Sequence, residues 1–511
     1  MAVRYYDWIA HHATRTPDRL AVVNLATGCE TSYAQFDGRI GRLAAALRRR
    51  FGVGAGDRVA VLALNTTETL EVQFACGRLG AIFVPLNVRL TAPELNYIVG
   101  DCAPRVMVFD SSLEPLAREV VAACGVPAAL LLGPDGGFEA ALAAEAPLPR
   151  TEWAVVTHDD VSTIMYTSGT TGRPKGAMIT HGMTFYNCVN LGAVARVDAT
   201  SVQLVTLPLF HTGGLNCYVN PVLHAGGRVL LMRSFDPGEA LRLVHERAWG
   251  LNLLFGVPSI YQFMCQHPDF ERADLSGLRI CGVGGAPMPV PLLKIWEERG
   301  VALQQGYGMT ETSPSVLALD QEDAARKAGS AGKPVLHTEV RVVREDGVDA
   351  APGEIGELWV RGPNVTPGYW NRPDANESSF TDGWLHTGDA VRVDGEGYYY
   401  IVDRWKDMYI SGGENVYPAE VEDVLYQLPQ VAEAAVIGVP DGRWGETGLA
   451  VVVVKPGMEL TAEQVHGHCR GRLARFKCPR DVVFVEALPR NATGKVHKPT
   501  LRGQFVKETG A

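Results

Sequence analysis

Three features of the 511-residue sequence predict an α/β protein with more than one domain. Apolar runs of strand length alternate with segments of helical spacing through most of the chain, and this alternation indicates parallel sheets covered by helices. After residue 330 the pattern changes to short strands bounded by turns. The length also exceeds what one hydrophobic core normally organises, so we expect at least two domains.

The N-terminal part carries the alternation most clearly. The segment DGRIGRLAAALRRRFGV (37–53) places Ile40, Leu43, Ala44 and Leu47 on one helical face, with its arginines on the solvated face. A second segment of helical spacing is TETLEVQFACGRLGA. The strand-like runs are DRVAVLAL (57–64), AIFVPLN (81–87), RVMVFD (105–110) and RVLLM (228–232).

The last third of the chain predicts two smaller units. A β-rich part within about 330–403 is indicated by the strings VRVVREDG, GEIGELWVRG and GYYYIVDR. Beyond Lys406, PAEVEDVLYQLP and QVHGHCRGRLARF (464–476) predict helices, while VAEAAVIGVP and LAVVVVKP predict strands. We therefore expect an N-terminal core over 1–403 and a C-terminal domain over 404–511. The joint lacks a Gly/Ser linker, so the two bodies should pivot on a short connection.

The composition excludes several classes of protein. A net charge of −10 argues against a nucleic-acid partner, because such proteins carry a basic face. No two of the ten cysteines lie closer than Cys469 and Cys478, so no CxxC pair exists and reduced thiols are expected. The N-terminus lacks signal-peptide features, and no apolar run approaches the ~20 residues of a membrane helix. We expect a cytoplasmic monomer or homodimer without an integral membrane segment.

The string YTSGTTGRPKG (166–176) is the strongest local signal. It places Ser168, Thr170, Thr171 and three glycines around Lys175, and amides, hydroxyls and an ammonium group together bind phosphate. The Walker signature has Gly-Lys followed by Ser or Thr, whereas Pro-Lys-Gly stands here. The string therefore predicts a phosphate site that is not of the Walker type.

Further motifs accompany this loop along the chain. They are LPLFHTGG (207–214), GGAPMP (284–289), QGYGMTET (305–312), GWLHTGD (383–389), DRWKDMYISGGENVYPAEVE (403–422) and RNATGK (490–495). In this order and spacing they make the chain resemble the adenylate-forming acyl-CoA synthetases over nearly its whole length. The resemblance implies a large N-terminal domain of packed sheets and a small α+β C-terminal domain that rotates between two half-reactions, with its hinge at Lys406.

The implied reaction joins a small-molecule carboxylic acid to coenzyme A and consumes ATP. The acid attacks the α-phosphate, pyrophosphate leaves, and the acyl adenylate passes its acyl group to the thiol while AMP departs. Attacker and phosphate are both anionic, so positive charge has to be supplied where charge develops. In the resemblance Lys495 supplies it, Thr310 hydrogen-bonds the α-phosphate, and Glu311 with Thr167 carries Mg²⁺.

The resemblance also assigns the nucleotide site. The loop grips the β- and γ-phosphates, Tyr307 and the GGAP backbone enclose the adenine, Asp389 accepts from the ribose diol, and Arg404 lies near ribose and phosphate. The residues implied for ATP or AMP are Thr167, Ser168, Gly169, Thr170, Thr171, Gly172, Lys175, Gly284, Gly285, Ala286, Pro287, Gln305, Gly306, Tyr307, Gly308, Met309, Asp389 and Arg404.

Coenzyme A is implied to bind through the C-terminal domain. Gly413 lines the pantetheine tunnel, where a side chain would block the thiol. Trp444 and Phe476 match aromatic positions that stack on the adenine of coenzyme A, although packing within the domain is an equal alternative. The implied set is Gly412, Gly413, Trp444, Arg475, Phe476 and Lys477, in which Arg475 and Lys477 would meet phosphates.

The acyl pocket is implied to be lined by residues that are apolar or small. Its residues are Phe210, His211, Gly213, Gly214, Phe255, Gly284, Met309, Ser313 and Pro314, and His211 would close the tunnel between acid and thiol. No cationic residue is placed to bind a second carboxylate, which disfavours a dicarboxylic acid. Strings such as FACG, YNCVN and LLFGVPS look similar to bacterial feruloyl- or hydroxycinnamoyl-CoA ligases. We expect an aromatic acid, with a medium- or long-chain aliphatic acid as the alternative.

Three other classes remain as rivals. An adenylation enzyme that loads a carrier protein would often pair an Asp with an amino group, but PLFHTGGLN has none, and Asp236 in SFDPGEA is interpreted as a helix N-cap. A Walker NTPase conflicts with the Pro-Lys-Gly order. A non-catalytic descendant would be expected to have lost Lys495 or Glu311, and both are present.

Overall fold

The structure is a computed structural model that describes residues 3–133, 136–167, 174–404, 407–412, 414–470, 472–490 and 496–506. Its strands are β1 (Leu20–Asn24), β2 (Cys29–Ser32), β3 (Arg58–Leu62), β4 (Ile82–Pro85), β5 (Val106–Phe109), β6 (Ala128–Leu131), β7 (Val161–Thr167), β8 (Lys175–Thr180), β9 (Val202–Val205), β10 (Arg228–Leu231), β11 (Leu253–Gly256), β12 (Ile280–Val283), β13 (Leu303–Gly308), β14 (Ser315–Ala318), β15 (Lys333–Pro334), β16 (Glu339–Val343), β17 (Ile355–Arg361), β18 (Phe380–Thr381), β19 (Trp384–Val393), β20 (Tyr399–Arg404), β21 (Tyr409–Ser411), β22 (Glu414–Val416), β23 (Val431–Asp441), β24 (Gly445–Val454) and β25 (Asp481–Phe484).

The helices fall between these strands. They are α1 (Trp8–Arg15), α2 (Tyr33–Phe51), α3 (Thr67–Leu79), α4 (Ala92–Cys102), α5 (Glu114–Cys124), α6 (Gly137–Ala143), α7 (His181–Val194), α8 (Thr212–Gly214), α9 (Asn220–His224), α10 (Pro237–His245), α11 (Pro258–Gln266), α12 (Val290–Glu298), α13 (Pro373–Ser379), α14 (Pro418–Leu425), α15 (Ala462–Arg470) and α16 (Lys498–Phe505). A π-helical turn, Leu215–Val219, joins α8 to α9. The predicted α/β class is confirmed.

Two large sheets form the N-terminal core. The first has nine strands in the order β15-β14-β13-β12-β11-β9-β10-β1-β2, and its strands from β13 to β1 run parallel. The second has six strands in the order β6-β5-β3-β4-β7-β8, and only β8 at its edge is antiparallel. Their central parallel strands are largely apolar because helices cover both faces of each sheet.

The helices separate the sheets into layers. The largest core packs Val22 and Val229 of the first sheet and Val59 of the second around Ile40 of α2 and Phe74 of α3. Helices α4 and α5 cover the outer face of the second sheet, and α10, α11 and α12 cover the outer face of the first. Burial of apolar side chains on both faces is the main stabilising term of such layers.

Local sequence signals set the ends of these helices. Helix α2 begins with a capping box in which Ser32 Oγ accepts from the backbone N of Gln35, and Gln35 Oε1 accepts from the backbone N of Ser32. It ends at Gly52, whose φ of 64° is left-handed. Asp236 Oδ1 accepts from Glu239 N at 2.7 Å, so its predicted role as the N-cap of α10 is confirmed.

Two smaller sheets follow in the C-terminal third. Strands β16 to β20 form an antiparallel five-stranded sheet. Strands β21 to β25 form a separate sheet that α14 and α15 cover on one face and Leu501 of α16 covers on the other. The helix predicted over 464–476 is wrong in extent, because α15 ends at Arg470. Gly467 and Gly471 lower the helix propensity there, and Leu473 N instead closes a turn onto Cys469 O.

Within the residues that the structure describes, no helix combines the length and apolar character needed to cross a bilayer.

Candidate active site

The predicted site residues gather at one edge of the nine-stranded sheet. Strands β9, β11, β12 and β13 run parallel, and the segments that follow their carboxyl ends contain LPLFHTGG, GVPS, GGAPMP and GMTET. Ligands bind in crevices outside the carboxyl ends of parallel strands, where loops from neighbouring strands converge. The motifs of the sequence are therefore brought together by the register of one sheet.

The glycine-rich loop connects β7 and β8 at the edge of the second sheet. Thr167 and Lys175 are directly paired across this hairpin, and Thr167 Oγ1 donates to Lys175 O at 3.4 Å. The predicted phosphate ligands Ser168, Gly169, Thr170, Thr171 and Gly172 lie outside the described residues. The paired stem nevertheless fixes where the loop leaves the sheet and where it returns.

The segment Gly368–Trp370 supports this hairpin from the side. Met178 N donates to Gly368 O at 3.1 Å, and Trp370 N donates to Gly176 O at 2.8 Å. Beside it, Tyr166 donates from its hydroxyl to Asp101 Oδ2 at 2.6 Å. Burial raises the pKa of Tyr166, which keeps that hydroxyl protonated. Both strands of the loop's stem are thus held by hydrogen bonds from outside the hairpin.

Tyr369 joins the loop lysine to the predicted magnesium ligand. Its hydroxyl donates to Glu311 Oε1 at 2.8 Å, and Lys175 Nζ lies 5.2 Å from the centre of its ring. Sequence reasoning missed this residue, because Tyr369 follows Glu311 by 58 positions and no local spacing connects them. The one available signal was an aromatic residue directly after Gly368 in TPGYWNRP.

Glu311 is a buried carboxylate on a short 3₁₀ turn, Thr310–Thr312. Its backbone oxygen accepts from Thr366 N at 2.7 Å, which orients the turn. Mg²⁺ is commonly held by one or two carboxylates together with phosphate oxygens and waters. The buried Glu311 carboxylate, linked through Tyr369 to Lys175, fits that donor set, and Glu311 and Thr167 are the residues predicted from the sequence that would hold the ion.

Tyr307 on β13 of the nine-stranded sheet comes together with Asp389 on β19 and Arg404 on β20 of the five-stranded sheet. The Tyr307 hydroxyl donates to Asp389 Oδ2, and the backbone of Asp389 is paired with that of Arg404 between β19 and β20. Thr387 Oγ1 accepts from Asp389 N at 3.1 Å and donates to Leu358 O at 2.7 Å. The resemblance assigns these three residues to adenine and ribose, and they are adjacent in space. The side chain of Tyr307 contacts that of Asp389, and the backbone of Asp389 pairs with that of Arg404.

The remaining nucleotide candidates form the loops after β12 and along β13. Gly285, Ala286 and Pro287 are exposed beyond β12, where a planar base could approach their backbone. Gln305 points inward and donates to Ser330 O at 3.1 Å. A Cβ atom at Gly308 would lie 1.7 Å from Pro314 O, so only glycine allows the chain to fold back here. This close approach shapes the turn that carries Met309, Thr310 and Glu311.

Phe255 is the centre of the predicted acyl pocket. A Cβ atom at Gly284 would lie 3.5 Å from Phe255 Cζ, and one at Gly213 would lie 3.9 Å from Phe255 Cε1. Gly214 has no space for a side chain, since a Cβ atom there would lie 2.1 Å from Pro208 O. Both Gly213 and Gly284 therefore leave the edge of the Phe255 ring uncovered by side chains of their own.

The other pocket candidates belong to two segments, one after β9 and one after β13. In the first segment the His211 ring packs on Phe210 with ring centres 5.0 Å apart, and His211 O accepts from Leu215 N. In the second, Met309 N donates to Pro314 O at 3.1 Å, so Ser313 and Pro314 fold back on Met309. These two folded segments, 210–215 and 309–315, are called the walls of the predicted acyl pocket below.

The C-terminal candidates are only partly within the described chain. Lys495, the predicted hinge residue Lys406 and the predicted tunnel residue Gly413 lie outside the described residues. Trp444 is 44 % exposed, and a Cβ atom at Gly412 would lie 2.7 Å from its Cε3 atom. The exposed indole therefore rests on Gly412, beside the predicted tunnel.

The second group of coenzyme A candidates is engaged inside the domain. Lys477 Nζ forms an ion pair with Glu420 at 2.7 Å, and Phe476 packs against the C-terminal core. Phe476 and Lys477 are therefore held by contacts within the C-terminal domain. The C-terminal domain touches the core where Gln262 Nε2 donates to Ala432 O at 3.1 Å.

Comparison with known proteins gives the family. The AMP-binding enzyme model matches residues 9–370, and the model for the C-terminal domain of AMP-binding enzymes matches residues 420–495. The chain belongs to the AMP-binding enzyme family. The resemblance predicted from the sequence motifs is therefore confirmed.

Individual relatives cover almost the whole chain. A feruloyl-CoA synthase from Amycolatopsis sp is 46% identical, with 98% of each chain covered. An indoleacetate–CoA ligase from Aromatoleum aromaticum is 41% identical, again with 98% of each covered. The long-chain-fatty-acid–CoA ligase FadD13 from Mycobacterium tuberculosis is 39% identical, with 97% of each covered.

Solved structures share the fold at similar coverage. ATP-bound MatB from Rhodopseudomonas palustris has a TM-score of 0.90 and 36% identity, with 98% of each chain covered. The o-succinylbenzoate coenzyme A synthetase MenE from Bacillus subtilis, in complex with ATP and magnesium ion, has a TM-score of 0.87 and 32% identity, with 98% of this chain and 100% of that chain covered.

Proposed function

We propose that this protein is an AMP-forming acyl-CoA ligase whose acid is aromatic, of the hydroxycinnamate or benzoate type. The ligase class agrees with the three relatives above, each of which carries the name of a CoA ligase or synthase. The observation that supports an aromatic acid is the surroundings of Phe255, where Gly213 and Gly284 approach the edge of the ring and carry no side chain. A planar acid bound beside these glycines would contact the Phe255 ring, a favourable arrangement for two aromatic groups.

The first half-reaction uses the groups at the sheet edge. The carboxylate attacks the α-phosphorus of ATP, and the bond to the β-phosphate oxygen breaks. Lys175 and the loop hold the leaving pyrophosphate, and Thr310 donates to the α-phosphate. Lys495 supplies positive charge where the two anions meet, because such charge lowers the free energy of the transition state. Mg²⁺, held by Glu311 and Thr167, neutralises phosphate charge when it is bound.

The second half-reaction requires a different arrangement of the C-terminal domain. The thiol of coenzyme A attacks the acyl carbon, and AMP leaves with the electrons of the acyl–phosphate bond. Gly413 would line the path of the pantetheine arm, and Trp444 would meet the nucleotide part of coenzyme A. The domain would turn about Lys406, so Lys495 leaves the site as the thiol path opens.

A second candidate acid is a medium- or long-chain aliphatic one. The observation in its favour is the relative named for long-chain fatty acids at 39% identity. The two relatives named for aromatic acids are more similar to this chain, at 46% and 41%. The same apolar wall can hold an alkyl chain, so the choice between an aromatic and an aliphatic acid depends on measured rates.

A panel of acids tests the proposal. AMP release should be measured with hydroxycinnamic, benzoic and indole acids and with aliphatic acids of about six to sixteen carbons, each with and without coenzyme A. The shorter aliphatic acids match the aromatic acids in length, and the longer ones exceed them. We expect rapid release that depends on both an aromatic acid and coenzyme A. Release without coenzyme A but with a carrier protein would overturn the ligase assignment, and a preference for aliphatic acids would overturn the acid.

A further inference from the structure

Buried side-chain amides run behind the two walls of the predicted acyl pocket. Asn187 of α7, Asn216 and Asn220 are all almost completely buried in the N-terminal core. Buried amides are costly unless their donors and acceptors are matched, so a chain of them that is matched indicates a constrained geometry. None of these three residues was predicted as a site residue from the sequence.

Asn187 contacts both walls at once. Its Nδ2 atom donates to the backbone oxygen of Asn216 at 2.6 Å, in the π-helical turn that continues the wall 210–215. Its Oδ1 atom accepts from the hydroxyl of Ser315, the last residue of the wall 309–315. One amide group therefore spans from the backbone of one wall to a side chain of the other.

Each wall also has hydrogen bonds of its own that do not involve Asn187. Asn216 Nδ2 donates to Thr212 Oγ1 at 3.4 Å, and Asn216 Oδ1 accepts from Asn220 Nδ2 at 2.7 Å. On the other wall, Asn364 Nδ2 donates to Ser315 O at 2.7 Å and to Thr312 O at 3.3 Å. Among the hydrogen bonds of the described residues, those of the Asn187 amide join these two internally braced walls.

We propose that Asn187 is a positioning residue that fixes the width of the acyl pocket and thereby the choice of acid. It touches no substrate in this role and acts through Ser315 and the backbone of Asn216. The inference rests on the proposed ligase function and on the assignment of the two walls to the acyl pocket. A change at Asn187 should therefore alter the discrimination between acids more than the use of ATP.

Substitutions at either end of the connection remove it in different ways. Asn187→Leu has a similar volume and removes both hydrogen bonds. Asn187→Asp keeps the acceptor for Ser315 but places a carboxylate against the Asn216 carbonyl. Ser315→Ala removes the link from the other end with a minimal change of volume, and it serves if either Asn187 variant folds poorly.

The matched control is Asn190→Leu. Asn190 lies on the same helix and is equally buried, but its Oδ1 atom is hydrogen-bonded to His337 Nδ1 at 3.1 Å and not to either wall. It reports the cost of losing a buried amide from α7. Any effect shared by Asn187→Leu and Asn190→Leu is structural, and only the difference between them concerns the pocket.

The measurement is kcat/KM for each acid that the wild-type protein accepts, in the complete reaction with ATP and coenzyme A. We expect Asn187→Leu and Ser315→Ala to change the ratio of kcat/KM between a narrow and a wide acid by about tenfold, the effect of losing one net hydrogen bond. The KM for ATP should stay within about twofold, and Asn190→Leu should leave the ratio unchanged. In the double variant Asn187→Leu/Ser315→Ala, the change in the logarithm of this ratio should be smaller than the sum of the changes in the two single variants.

An equal fall for all acids, or the same ratio change in Asn190→Leu, would overturn the inference. The acid panel for the wild-type protein separates this outcome from a failure of the proposed function. If the wild-type protein prefers aliphatic acids, the aromatic proposal fails, but the ratio between aliphatic acids of different width still tests Asn187.

Discussion

Replacing Tyr369 with phenylalanine removes one hydroxyl group and leaves its ring in place. The ring keeps its position under Lys175 Nζ, 5.2 Å from its centre, and the backbone pairing of residue 369 with Ala177 is unaffected. What is lost is the hydrogen bond to Glu311 Oε1 at 2.8 Å. The substitution therefore tests what this hydrogen bond contributes to the orientation of the Glu311 carboxylate.

The size of the effect follows from the type of bond. A hydrogen bond to a charged group contributes about 1.5–3 kcal/mol. If that energy holds Glu311 in the orientation used for adenylation, the rate of that step falls by a factor of about 10 to 150, since 1.4 kcal/mol corresponds to tenfold. Tyr369 is buried, so water does not readily replace the lost hydroxyl and the upper part of the range is expected.

The assay separates the two half-reactions of Tyr369→Phe. Acid-dependent exchange of pyrophosphate into ATP reports adenylation, and supplied acyl adenylate with coenzyme A reports thioester formation. We expect loss in the first assay, a higher magnesium concentration for half-maximal exchange, and little change in the second. Tyr398→Phe is the control, because the Tyr398 hydroxyl donates to the carboxylate of Asp323, outside the site. Equal losses in both assays, or a loss no larger than that of Tyr398→Phe, would refute the reasoning.

Three further predictions concern other parts of the chain. Lys495→Ala should reduce pyrophosphate exchange by about 10²-fold or more while acyl adenylate is still converted with coenzyme A, and equal loss of both activities contradicts the split. Gly308→Ala places a Cβ atom 1.7 Å from Pro314 O, so the 309–314 turn must move. We expect a large loss of pyrophosphate exchange with a smaller loss of thermal stability, and unchanged exchange activity contradicts the assigned geometry. Burial lowers the pKa of His181 from 6.5 to about 4. Between these two pH values His181 is protonated in the unfolded chain but stays neutral in the folded protein. Stability should therefore fall by about 3 kcal/mol as the pH drops from 6.5 to 4. The urea midpoint of His181→Gln should depend less on pH in that window, and identical slopes for both proteins rule out this origin.

The sequence predicted the elements whose signals are local. Alternating apolar runs located β3, β4, β5 and β10, because each strand is buried on both faces and so must be apolar throughout. Asp236 was identified as an N-cap since its hydrogen bond spans only three residues. The extent of α15 was wrong because the apolar pattern continued to Phe476, past the glycines of low helix propensity, whereas the helix is described only to Arg470.

Contacts between distant segments could not be predicted in this way. Tyr369 meets Glu311, and Ser315 meets Asn187, across 58 and 128 positions of the chain. Neither pair leaves a periodic or spaced pattern, since the contacts exist only after the two sheets and the loops at their edges are assembled. The family resemblance supplied roles for residues in motifs, but it did not indicate the buried groups that hold those motifs in position.

Direct competition between acids tests the central proposal most simply. The protein is given ATP, coenzyme A and equal concentrations of a hydroxycinnamic acid and a saturated fatty acid of about the same length, and the two thioesters are quantified by mass spectrometry at low conversion. The ratio of products equals the ratio of kcat/KM values. We predict at least about tenfold more aromatic thioester, the discrimination that roughly 1.4 kcal/mol of differential binding gives. Equal amounts, or an excess of the aliphatic thioester, would contradict the aromatic assignment.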